Sequence, residues 1–127
     1  MQKDIIATDQ APKAIGPYSQ GVRAGAFVFF SGQIPLDPTT GELRGTSCAE
    51  QAEVVLENIA ALLAAAGLGF ADVVKSTIFL TNLADFAAVN EVYGRCFPVN
   101  PPARSTVEVK GLPRGAMVEI EVIAFSG

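Results

Sequence analysis

The hydrophobic positions along this chain keep two different periods, and the changes between them mark out its elements. In SQGVRAGAFVFFSGQIP, aromatic and β-branched residues from Phe27 to Phe30 predict a strand, and Gly25 marks the turn of a hairpin before it. DPTTGE follows, with Pro38 and Gly41 as the punctuation of a second turn. The period then changes to that of a helix. Ala52, Val55, Ile59, Leu62 and Ala66 recur on one side while Glu53 and Glu57 lie off it. Ser47 and Glu50 have the spacing of a capping box, and Gly67 stands where the helix should stop.

DVVKSTIFLTN returns to strand composition, with apolar groups on both sides, and predicts a buried strand. LADFAAVNEVYGRCF predicts a second helix with Phe86, Val89, Val92 and Cys96 roughly on one side and Gly94 weakening its end. Two alternating runs, Arg104 to Val109 and Met117 to Phe125, close the chain, joined by KGLPRG, which is too long for a two-residue hairpin. The order ββ(β)-α-β-α-ββ predicts a single α+β domain over residues 1–127, with both helices on one face of the sheet. No segment remains to cover the other face, so self-association is expected.

Composition narrows the chemistry. Half of the 127 residues are hydrophobic and 17% are charged, enough for a substantial core. A net charge of −4 and nine scattered basic residues argue against a nucleic-acid footprint. The absence of histidine removes imidazole as a general base and the commonest metal ligand. Cys48 and Cys96 lack metal or redox spacing and are expected to be free, buried thiols in a reducing compartment. The opening MQKDIIATDQ lacks the apolar stretch of a signal peptide, and no run is long enough to span a membrane. A cytoplasmic protein is expected.

Alternation sorts the candidate site residues. Arg104, Thr106 and Glu108 share one strand face, and Met117, Glu119 and Glu121 share another opposite an aliphatic row. Those glutamates fit either a solvated edge or a pocket at a subunit boundary. In IGPYSQG, Gly16 and Pro17 set a turn before Tyr18, which suits packing or a site. In FSGQIP, a glycine after an aromatic strand allows a ligand close to backbone N–H groups.

IGPYSQG, FSGQIPLDPTTGE, VVKSTIFLTNLADFAAVNEVY and PPARSTVEVKGLPRGAMVEIEVIA together resemble the Rid family, also called YjgF, and most of all its RidA branch. The likeness runs from Ile5 to Phe125 in the family's order, and its most specific part is PARSTVEV with LPRGAMVEIE. The resemblance implies a chorismate-mutase-like α+β fold, a mixed β-sheet with two helices on one face, assembled as a homotrimer with sites between subunits. It implies hydrolysis of 2-aminoacrylate-derived imines, 2-iminopropanoate and 2-iminobutanoate, to 2-keto acids and ammonia. Pyridoxal-phosphate dehydratases, which release such enamines, become functional partners.

Carried over by motif, Arg104 holds the substrate carboxylate, Glu119 handles the attacking water and Tyr18 lines the site. Asn90 lies near the same pocket, and Ser31 with the backbone around Gly32 and Thr106 completes the cradle. Some relatives have cysteine where this chain has Thr106, so no thiol there can be essential. The chemistry suits these residues: a planar guanidinium anchors a carboxylate with two parallel hydrogen bonds, and a partly buried glutamate can orient or deprotonate water. Neither metal nor cofactor is required. Two rival readings stand beside this one, a non-catalytic module binding 2-keto acids or other small carboxylates, and an RNA-cleaving translation inhibitor, a label attached to some relatives. Acidity and the missing histidine count against the second.

Overall fold

The computed structural model describes residues 2–127. Six strands form one sheet: β1 (Lys3–Ile6), β2 (Gly21–Ala24), β3 (Phe27–Phe30), β4 (Val73–Leu80), β5 (Ala103–Glu108) and β6 (Val118–Phe125), in the order β1-β2-β3-β6-β4-β5. Two helices, α1 (Cys48–Ala65) and α2 (Phe86–Cys96), pack on it. Only β4 and β5 run parallel, joined by α2; the other neighbours are antiparallel. β3 and β4 also point the same way, with β6 between them, so α1 makes a second crossover. Both crossovers step in the same direction across the sheet, and their shared handedness puts both helices on one face.

Local chemistry sets the helix ends. Ser47 accepts from the Glu50 N–H while the Glu50 carboxylate accepts from the Ser47 N–H, completing the capping box. At the other end Gly67, with φ +76°, lets Leu68 N–H reach the Leu63 carbonyl at 2.8 Å, a turn that releases the chain from the helix. α1 buries Ala52, Val55, Ile59, Leu62 and Leu63. Against them lies the helix-side row of β6, Val118, Ile120, Val122 and Ala124, all buried.

Three features depart from the pattern of the sequence. β1 was not marked by it, because KDII is short and has only two apolar residues, and its pairing with β2 supplies the order. The closing runs form strands that do not pair. After the α2 crossover β5 takes the outer edge of β4, and β6 returns on the far side of β4 next to β3. β4 is not buried on both faces: Val73, Ser76, Ile78 and Leu80 are buried under the helices, whereas Lys75, Thr77 and Phe79 are only partly covered.

The opposite face is bare and carries several apolar side chains. Register places Ile5, Phe27, Phe29, Val107 and Phe125 on it, and all are exposed. The Phe27 and Phe125 rings meet edge-on at 5.2 Å. Among the described residues no helix is long and apolar enough to cross a membrane. Leu62, fully buried in α1, tests the helix–sheet core: Leu62→Ala should lower the unfolding free energy by about 2–5 kcal/mol in urea denaturation.

Candidate functional site

Strand register divides the candidate residues between the two faces. Arg104 pairs with Ser76 and Thr106 with Ile78, so both lie on the helix-covered side. Glu119 pairs with Phe79, three residues from Ser76, and therefore lies on the bare side. β4 stands between them. One chain thus presents two separate groups of candidates.

The first group gathers at the outer edge, where β5 meets α2. Arg104, Thr106, Asn90, Phe86 and Val89 line a crevice too narrow to admit a water molecule. The Arg104 guanidinium lies over the Tyr93 ring, 4.9 Å from its centroid, and 5.5 Å from that of Phe86. Among the described residues it enters no ion pair. Beside it, the buried Thr106 Oγ1 has no hydrogen-bond partner. Glu108, at the end of β5, accepts from the Leu83 N–H at 2.9 Å and ties β5 to the turn that starts α2. Burial pushes the Tyr93 phenol up, opposed by the Ser76 hydroxyl and the Arg104 charge.

The second group lines a cleft of about 480 Å³ whose walls include Ile15, Tyr18, Ser31, Gly32, Arg114 and Glu119. A tight turn over Pro17, closed by Tyr18 N–H to the Gly16 carbonyl at 2.9 Å, presents the Tyr18 ring. Its hydroxyl accepts from the Ile15 N–H at 3.2 Å. Ser31 donates to the Ser19 carbonyl at 2.6 Å, fixing this segment to the end of β3. Gly32 leaves room for the Glu119 carboxylate as it stands: a methyl group added there would lie 2.9 Å from the Glu119 carboxyl carbon and closer to one oxygen. Burial raises the Glu119 pKa above its ordinary value, and the neighbouring Glu121 charge raises it further.

The structure therefore brings Arg104, Asn90 and Thr106 together, and Tyr18, Ser31, Gly32 and Glu119 together, but not the two sets. Three further residues escaped the sequence reading. Tyr93 carries Arg104 and was hidden among the apolar positions of a helix. Gln20 is buried, accepts from the Thr8 N–H and donates to the Thr8, Ala11 and Pro12 carbonyls, shaping the cleft's N-terminal wall. Arg114 lines the cleft with φ +63°, held by a turn that begins at Pro113; a basic residue after proline gives no hint of that conformation.

The cysteines are free, but Cys96 is only partly covered, not buried, because it ends α2 at the surface. The Cys48 thiol is pushed up to about 11, by burial first and then by Asp85. Among the described residues no three acidic or sulfur side chains converge as metal ligands.

The chain belongs to the Rid (YjgF) family: the family model described as Endoribonuclease L-PSP matches residues 8–126. Protein DfrA of Myxococcus xanthus is 60% identical, with 99% of this chain and 98% of that protein covered. The human 2-iminobutanoate/2-iminopropanoate deaminase is 45% identical, covering 97% of this chain and 90% of its own. Among solved structures, Escherichia coli TdcF with bound serine superimposes with a TM-score of 0.93 at 48% identity, over 98% of this chain and 99% of that one.

The fit of Glu119 against Gly32 yields a direct test. Gly32→Ala should push the carboxylate toward solvent, so its pKa should fall back toward 4.5, read by carboxyl-carbon NMR titration. The added methyl should cost about 1–3 kcal/mol of stability where the side chain cannot move clear.

Proposed function

We propose that the protein is a cofactor-independent deaminase that hydrolyses 2-imino acids, 2-iminopropanoate and 2-iminobutanoate, to 2-keto acids and ammonia. The observation that carries this reading is the Arg104 guanidinium, held by two aromatic rings and entering no ion pair among the described residues. A partly desolvated guanidinium in no ion pair among the described residues favours an external carboxylate, which it grips through two parallel hydrogen bonds. The name of the human relative supports the substrate class.

In this reading the site is completed between protomers of a homotrimer. Arg104, Asn90 and Thr106 come from one chain, and Tyr18, Ser31, Gly32 and Glu119 from its neighbour. What supports this is their separation on opposite sheet faces, together with the bare aromatic face that another copy would cover. The imine is already electrophilic. Glu119 takes a proton from water as its oxygen bonds to C2, and the resulting carbinolamine receives that proton on nitrogen. The C–N bond then breaks as the carbinolamine hydroxyl passes its proton through Glu119 to the leaving nitrogen, giving ammonia and the 2-keto acid. A carboxylate whose pKa burial raises above its ordinary value can both take and return a proton. The dehydratases that release enamines supply the substrate.

A carboxylate-binding module would use the same anchor without Glu119. The half-buried glutamate beside Gly32 favours the enzyme. RNA is a poor fit: the net charge is −4 and no histidine is present.

A coupled dehydratase assay tests the anchor. Arg104→Ala should cost about 2–5 kcal/mol of transition-state binding, roughly 30- to several-thousand-fold in imine turnover. Near-normal turnover by the folded variant would remove the assignment. Glu119→Gln should keep 2-keto acid binding but lose turnover; unchanged turnover would remove the role given to Glu119, and 2-keto acid binding without imine turnover in the wild type would leave the binding module standing. Neither variant should work alone, yet trimers reassembled from an equal mixture should recover about a quarter of the sites, because each site then draws on two chains. Activity should fall as acid protonates Glu119. Glu121→Gln removes a like charge, so the acid limb of the pH profile should move to lower pH.

A further inference from the structure

The aromatic groups beneath Arg104 form a stack that runs into the core. Tyr93 is 4% exposed, its ring lies 4.5 Å from that of Phe97, and Phe97 meets Phe70 at 5.2 Å. At its other end the phenol shares a buried hydrogen bond with Ser76. Ser76 is 1% exposed and is the one hydroxyl in the helix-side row of Val73, Ser76, Ile78 and Leu80. It is also the residue in register with Arg104. A buried hydroxyl in an aliphatic row is costly unless paired, and its pairing fixes the ring on which the guanidinium rests.

A carboxylate partner could also have held Arg104, but it would occupy the N–H fork that a ligand needs. A π face attracts the cation without taking an N–H donor. The geometry points to Tyr93, braced by Ser76 and assisted by Phe86, as the positioning device that holds Arg104 ready for a carboxylate ligand. This rests on the carboxylate-anchoring role proposed for Arg104. Tyr93 is a positioning residue because it acts through the arginine. The in-plane contact with the carboxylate persists from bound substrate to transition state, so a misplaced guanidinium should raise KM more than it lowers kcat.

The test uses the assembled protein with 2-oxobutanoate as the ligand. Calorimetry gives Kd, the coupled assay gives KM and kcat, and proton–nitrogen NMR reports the Arg104 Nε–H resonance, which a ring beneath it shifts. Tyr93→Phe keeps the ring but loses the Ser76 brace, so it should retain a ring-shifted resonance and weaken Kd by less than Tyr93→Leu does. Tyr93→Leu should lose the ring shift and weaken binding by roughly 2- to 30-fold, the range expected for a cation–π contact. Phe86→Leu, at a position already 39% exposed, should weaken binding by a smaller factor in the same direction and decides the matter if Tyr93→Leu fails to fold. Unchanged Kd in a folded Tyr93→Leu, or in Phe86→Leu where that variant decides, would overturn the proposal. So would an unmoved Arg104 resonance in Tyr93→Leu. Arg104→Ala separates the two levels of the argument. If it binds 2-oxobutanoate normally, the anchoring role itself fails. If it loses binding while both aromatic variants keep it, only the positioning role fails.

Discussion

A six-stranded sheet has two faces, and this chain supplies helices for one of them. That constraint shapes everything else in the molecule. Both crossover connections step in the same direction, so α1 and α2 are committed to the same side, and their aliphatic residues complete a core with the inner row of β6. The other side keeps its phenylalanines in the open. An aromatic sheet face of this kind gains from being covered, and a further copy of the chain is the economical cover.

The same division governs the chemistry. Side chains alternate along a strand, so residues three apart on β4 register with Arg104 on one face and Glu119 on the other. The two environments do different electrostatic work. Around Arg104, aromatic rings and a narrow crevice hold the cation, which enters no ion pair among the described residues. Around Glu119, burial and the charge of Glu121 make the ionised carboxylate less favourable. One environment holds a cation that enters no ion pair among the described residues and the other disfavours an ionised carboxylate, and their places on opposite sheet faces keep the two from pairing within one chain.

Much of this was legible from local chemistry. Ser47, Glu50 and Gly67 set the limits of α1 because caps depend on a few neighbouring residues. The period-two runs placed Arg104 with Thr106, and Glu119 with Glu121, on common faces because side-chain alternation is a property of the strand itself. The need for Gly32 was visible only as a glycine after an aromatic strand; which atom comes close to it depended on β6 arriving beside that loop. Tyr93 gave no signal at all, since a tyrosine in a helix of mixed polarity looks like packing until Arg104 is seen to lie over it.

By itself, the order of residues determined the two helices, most of the strands, the faces on which the charged residues fall, and a shortage of helices to cover the sheet. These follow from period, capping and turn chemistry, all of which act over a few residues. Tertiary structure alone decided that β6 lies between β3 and β4 and β5 on the outer edge. It alone set Arg104 over Tyr93 and separated it from Glu119. Those outcomes depend on strand order and crossover handedness, which join residues far apart in the chain and leave no mark on any short stretch of it.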